Sequence, residues 1–113
     1  MTFPDIFLDR IEANGIVVGI NNAADIPVGT LFTQLVKVRV EGNPGSTTAT
    51  ELWSIPISLR ITDAIIYRKS TAVVPRGWGV GLRLEGAGME AVTDALNGKA
   101  AAEHVHLRAP GAA

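Results

Sequence analysis

His104 and His106 stand one residue apart near the C-terminus, inside the alternating segment Glu103–Arg108. On an extended strand, residues i and i+2 share a face, so the two imidazoles sit together at metal-ligand spacing. Glu103 is set to point the other way, and a structural zinc site needs four ligands. The pair therefore reads as the polar outer face of a terminal strand, with no metal assigned. The chain has no cysteine, which excludes a disulfide scaffold, a thiolate metal site and a cysteine nucleophile. Serines at 46, 54, 58 and 70 lie outside any G-x-S-x-G elbow. No paired-carboxylate pattern stands out, so no catalytic residue is assigned and no enzyme activity is expected.

A second group of residues is better suited to binding. Gly77-Trp78-Gly79-Val80-Gly81 resembles a phosphate-cradling loop, but Leu82 occupies the place of the third glycine and no helix follows, so the dinucleotide fingerprint fails. There is no G-x-x-x-x-G-K-[ST] segment, and no cofactor is expected. Small residues along a strand fit close backbone packing at a sheet corner instead. Charge is distributed unevenly. Met1–Thr30 has four acids against one base, whereas Arg60–Arg83 has Arg60, Arg68, Lys69, Arg76 and Arg83 against Asp63 alone. Tyr67 and Trp78 fall in that basic third, so cations and aromatics interleave as they do on single-strand-binding surfaces. The competing interpretation is that these arginines are the solvated faces of strands with apolar undersides, since the net charge is only −1.

The elements that must position these side chains are mostly strands. Twelve glycines and six prolines punctuate short apolar runs, as in an all-β chain. Asp5–Glu12 and Ile16–Ile20 flank Ala13-Asn14-Gly15, and Asn-Gly suits a type I′ hairpin turn. Ile26-Pro27-Val28-Gly29 predicts another turn. In Leu31–Val40, Val36, Val38 and Val40 share one face, and Lys37 and Arg39 the other. Glu41–Thr50 has the composition of a loop, broken at Asn-Pro-Gly. From Glu51 to Thr62 the period of two is clear, with Trp53, Ile55, Ile57, Leu59 and Ile61 on one side. Pro56 places that strand at an edge or beside a bulge. Asp63–Lys69 predicts a further short strand. Pro75-Arg76-Gly77 predicts a turn before Trp78, Val80, Leu82 and Leu84 alternate. Met89, Val92 and Leu96 then follow helical spacing, with Gly98 just past the helix end. Glu103–Arg108 closes the pattern, with Val105 and Leu107 inward, and a frayed tail is expected over 109–113.

At 113 residues, with 47% hydrophobic and 19% charged side chains, the chain is expected to form one domain over 1–113. No apolar run reaches the roughly 18 residues of a spanning helix. A soluble, cytoplasmic protein without a membrane partner is expected. The fold class is all-β: a small closed or nearly closed antiparallel β-barrel with one short helical segment near the C-terminus. A two-layer sandwich is the competing arrangement.

The order of motifs resembles the β-barrel second domain of translation GTPases, as in elongation factor Tu and its relatives. FLDRIEANGIVVGI fits that family's opening hairpin, and DIPVGTLF its I-x-V-G turn, at Ile26, Val28 and Gly29. AIIYRKSTAVVPRGWGVGLRLEGAG fits its V-G-L-x-L-x-G strand, with Gly81, Leu82, Leu84 and Gly86 on the pattern positions. MEAVTDALNGKAAAEHVHLRAP matches its closing helical turn and last strand. The sequence has neither the family's phosphate loop nor its N-K-x-D; Pro27 replaces a usually polar residue, and Trp53 and Trp78 are additions. The resemblance implies the barrel fold. In the family that barrel contacts the GTPase switch region and transfer or ribosomal RNA through loops not matched here residue by residue, so the activity does not carry over. The expectation of an RNA or ribonucleoprotein partner rests on the basic and aromatic residues. The expected function is that of a stand-alone, non-enzymatic binding module. Arg60, Arg68, Lys69, Arg76 and Arg83 would then contact phosphates, with Tyr67 or Trp78 for stacking. The alternatives are a protein-interaction or homo-oligomerisation module, using an edge strand near Pro56, and a small-molecule binder or small enzyme at the barrel mouth, with His104 and His106 as its polar groups.

Overall fold

Alternation of the kind seen in Trp53–Ile61 needs a sheet with one wet and one dry face, and the computed structural model, which describes residues 4–43 and 45–110, supplies it by closing a sheet on itself. Its elements are β1 (Asp5–Ile11), β2 (Val17–Asn21), β3 (Ile26–Pro27), β4 (Leu31–Asn43), β5 (Ser46–Ile66), β6 (Lys69–Thr71), β7 (Val73–Val74), β8 (Gly79–Ala87), α1 (Met89–Asn97) and β9 (Glu103–Arg108). The main sheet runs β4-β9-β1-β2-β8-β5, and β5 also pairs with β4, so six antiparallel strands form a ring, with β6 attached to β5. A ring of this kind removes the exposed edges that make open sheets associate. The separate β3–β7 pair contributes Ile26 and Val74 to the core.

The interior follows the alternation. Ile6, Leu8, Phe32, Leu35, Leu59, Ile61, Leu82, Val105 and Leu107 are almost fully buried there, and α1 adds Val92 and Ala95. The helix starts after Gly88 and ends at Gly98, as its spacing predicts. Gly86, at φ 137°, lets β8 lie against Ser58 of β5 so closely that a Cβ would overlap the Ser58 carbonyl oxygen. Pro56 has both features expected of it. It precedes the β5 segment that pairs with β8, which begins at Ser58, and it adjoins a register shift between β4 and β5.

Four expectations need correction. The β1–β2 turn is not type I′. Only Gly15 has a positive φ (85°), and the Gly15 N–H donates to the Glu12 carbonyl while the Glu12 N–H donates to that of Ile16. This is a three-residue loop with glycine in the left-handed position. Glu41–Thr50 reverses between Asn43 and Ser46, at the expected Asn-Pro-Gly break, but its flanks are strand and not loop: β4 and β5 stay paired to Asn43 and Ser46 and form a two-stranded arm that runs four pairs beyond β9. The strand expected over Asp63–Lys69 turns back at Tyr67-Arg68, so that Ile66 pairs with Lys69. The tail is anchored where fraying was expected to begin: Ala109 is buried, and its N–H donates to the Pro4 carbonyl. The remainder of that expectation, over 111–113, lies outside the described residues. β9, the last strand in sequence, lies inside the sheet between β4 and β1.

Candidate functional site

Tyr67 and Arg68 form the two central residues of the β5–β6 turn, with φ of 51° and 65°. A turn of this type needs positive φ at both positions, which normally selects Asn-Gly. An aromatic and a long cation there carry left-handed strain of about 1–2 kcal/mol per residue. The turn lifts the Tyr67 ring off the sheet, and it is 84% exposed. Its one aromatic neighbour among the described residues is Trp78, edge-to-face at 5.8 Å between centroids and itself 44% exposed.

Trp78 is held by Asn21, a residue the sequence reading did not single out. Asn21 is fully buried, yet all its polar groups have partners. Its side-chain amide donates to the carbonyls of Ala24 and Val74, and its Oδ1 accepts from Ala23 N–H. Its backbone N–H donates to the Trp78 carbonyl, and its carbonyl accepts from Gly77 N–H. An unpaired buried amide costs roughly 1–3 kcal/mol, so this network fixes the loop ahead of β8. The only sequence signal was an asparagine ending an apolar strand.

The five bases do not converge as one group. Arg68 and Lys69 belong to the Tyr67 turn, and Arg76 lies in the same loop as Trp78, its N–H bonded to Asp25 Oδ1. Arg60 lies six residues before Ile66, about 20 Å along the strand at 3.3 Å per residue. Its guanidinium donates to the Gly29 carbonyl, and it stands opposite Glu85 in register. Arg83 stands opposite Asp63. Arg60 and Arg83 thus have anionic cross-strand neighbours and Arg76 lies beside Asp25, while Arg68 and Lys69 share the turn with Tyr67. Beside the turn, an open groove of about 600 Å³ is lined by Ile16, Val18, Ile65 and Arg68, with Glu12 among its walls.

The histidines share the outer face of β9, as their spacing predicts, but that face is half covered. Phe7 meets His104 and His106 edge-on, with centroids 4.5 and 5.5 Å away. Val36 and Val38, paired with His106 and His104, are buried on the same side. The valine face of β4 therefore points away from the core, and Lys37 occupies the inner face. There its ammonium lies 3.2 Å from Glu103 and 5.9 Å from the Trp53 ring centroid. The Ala100 N–H and Lys37 hold the Glu103 carboxyl below its usual pKa. Burial, aided by His106 and Lys99, pushes His104 below the ordinary histidine value. His106 Nδ1 lies 2.8 Å from Asp5 Oδ1. A His–Asp pair could orient a nucleophile, but Ser54 pairs with Val36 on the far side of β4, two strand spacings or about 10 Å from His106. No group of three or more metal-ligating side chains gathers among the described residues. No helix among them is long and apolar enough to cross a membrane.

No protein-family model matches the chain, and no curated protein or solved structure matches it either.

Proposed function

We propose that the chain is a non-enzymatic module that binds single-stranded RNA, free or exposed on a ribonucleoprotein, at the β5–β6 turn. Tyr67 and Trp78 supply stacking faces, and Arg68, Lys69 and Arg76 meet phosphates. The observation that carries this reading is the Tyr67 ring. It is exposed on a strained turn, adds nothing to the core, and leans on a half-exposed tryptophan, with Arg68 and Lys69 next to it in the turn. Strained backbone persists where surrounding structure over-determines it, and such sites are often used for recognition. Stacking of a base on an aromatic ring contributes about 1–3 kcal/mol and tolerates any sequence. Arg60, away from the turn, and Arg83, like it opposite a carboxylate, take a lesser part.

The test is fluorescence titration of a labelled oligouridine across a salt series. Each neutralised phosphate on a single strand adds about 0.7 to the log–log salt slope, so two or three engaged bases give about −1.4 to −2.1. The double variant Arg68→Ala/Lys69→Ala is expected to lose about 1.4 of that slope. No binding at low salt, or an unchanged slope in the double variant, would overturn the proposal.

A further inference from the structure

The ring has no free edges, but the arm that leaves it does. From Ser46 to Ile57, β5 pairs with β4 on one side and, among the described residues, with no strand on the other, because its pairing with β8 begins at Ser58. Ser46–Leu52 is exposed throughout. An edge presents a row of N–H and C=O groups able to accept another strand, and proteins usually blunt such edges with lysine, proline or a bulge. Here Ser46-Thr47-Thr48-Ala49-Thr50 holds no charge and no proline, while Pro56 and the irregular step at Leu52 lie beyond it. A two-stranded ribbon alone is marginal in water, and three or more strands are needed for independent stability.

We propose that this edge pairs with the same edge of a second copy, antiparallel about a two-fold axis at Thr48. In that register Thr47 faces Ala49 of the other copy, Ser46 faces Thr50, and Thr48 faces itself. The segment is nearly symmetric in size and polarity about Thr48, so every pair is small and uncharged. Glu51 falls opposite Gly45, and no like charges meet. Threonine pairs across strands are favourable. An isologous contact of this kind closes at two copies and builds no fibre. The two arms then form a four-stranded antiparallel sheet, with Val38, Val40 and Ala49 of each copy on one face. A peptide strand of another protein could use the same edge but would not require the segment's own symmetry.

Light scattering on a concentration series up to about 1 mM, the range of weak interfaces, tests the pairing. The wild type is expected to move from 11.9 kDa towards twice that mass. Thr48→Lys and Thr48→Glu each place like charges opposite one another and are expected to stay monomeric. Thr48 is exposed and stands opposite Glu41 of its own arm, so both variants should keep the wild-type circular dichroism, with the thermal midpoint slightly lower for the glutamate variant than for the lysine variant. An equimolar mixture of the two variants is expected to regain the doubled mass, since lysine then faces glutamate. A wild type that stays at the monomer mass, variants that associate as it does, or a mixture that stays monomeric would each overturn the proposal.

Discussion

Replacing Tyr67-Arg68 by Asn-Gly is expected to make the protein more stable and less able to bind RNA. Both residues have φ values in the left-handed region, at a cost of about 1–2 kcal/mol each. Asparagine tolerates that region and glycine carries no Cβ penalty there. Against the relief of about 2–4 kcal/mol stand the greater unfolded-state freedom of glycine, about 0.5–1 kcal/mol, and the lost Tyr67–Trp78 contact, about 0.5–1.5 kcal/mol. The net gain is about 1 kcal/mol. For 113 residues the unfolding entropy at about 2.1 cal/mol/K per residue sums to roughly 0.24 kcal/mol/K. The expected rise in Tm is therefore about 4 °C, measured by circular dichroism. On the same preparation, oligouridine affinity should fall about tenfold or more, because one stacking face and one cation are removed. A Tm lowered by a similar amount would mean that the Tyr67 ring is held for packing, and the reasoning from strain would fail. A raised Tm with unchanged affinity would leave the strain argument standing and refute the site.

Gly86→Ala should be severely destabilising, by about 2 kcal/mol or more, because the added Cβ meets the Ser58 carbonyl and φ is positive; a urea midpoint close to wild type would show that β5 and β8 can separate at little cost. Glu103→Gln leaves the buried Lys37 ammonium without its carboxylate and is expected to destabilise at pH 7. The Glu103 carboxyl titrates lower in the folded state than unfolded, so its contribution is present above about pH 4.5 and lost as pH falls through the folded value. Urea midpoints of wild type and variant should converge as pH falls below the folded value of the Glu103 carboxyl, and a gap that persisted down the acid limb would assign the effect to packing.

The sequence by itself determined the elements whose side-chain pattern one residue can reveal to the next. β5 alternates from Trp53 to Ile61, α1 keeps its apolar spacing between Gly88 and Gly98, and β9 occupies Glu103–Arg108 as its period predicts, since the hydrophobic effect acts on each face directly. Tertiary structure decided the rest. Glu41–Thr50 is polar and glycine-bearing, so its composition reads as a loop, yet cross-strand hydrogen bonds extend β4 and β5 through it. Tyr67-Arg68 has no turn chemistry, and the pairing of Ile66 with Lys69 on the edge of β5 imposes the reversal. The alternation of Val36 and Val38 against Lys37 was legible, but not which face was dry, because the valines are buried on the outer face beside His106 and His104 while Glu103 and Trp53 hold the lysine within. The basic residues were legible as a group. Only the ring divides them, because strand length carries Arg60 away from Arg68, and cross-strand register sets Arg60 and Arg83 opposite carboxylates. Periodicity reports that a side chain alternates; what lies against it depends on the neighbouring strand, and that partner is chosen by closure of the sheet.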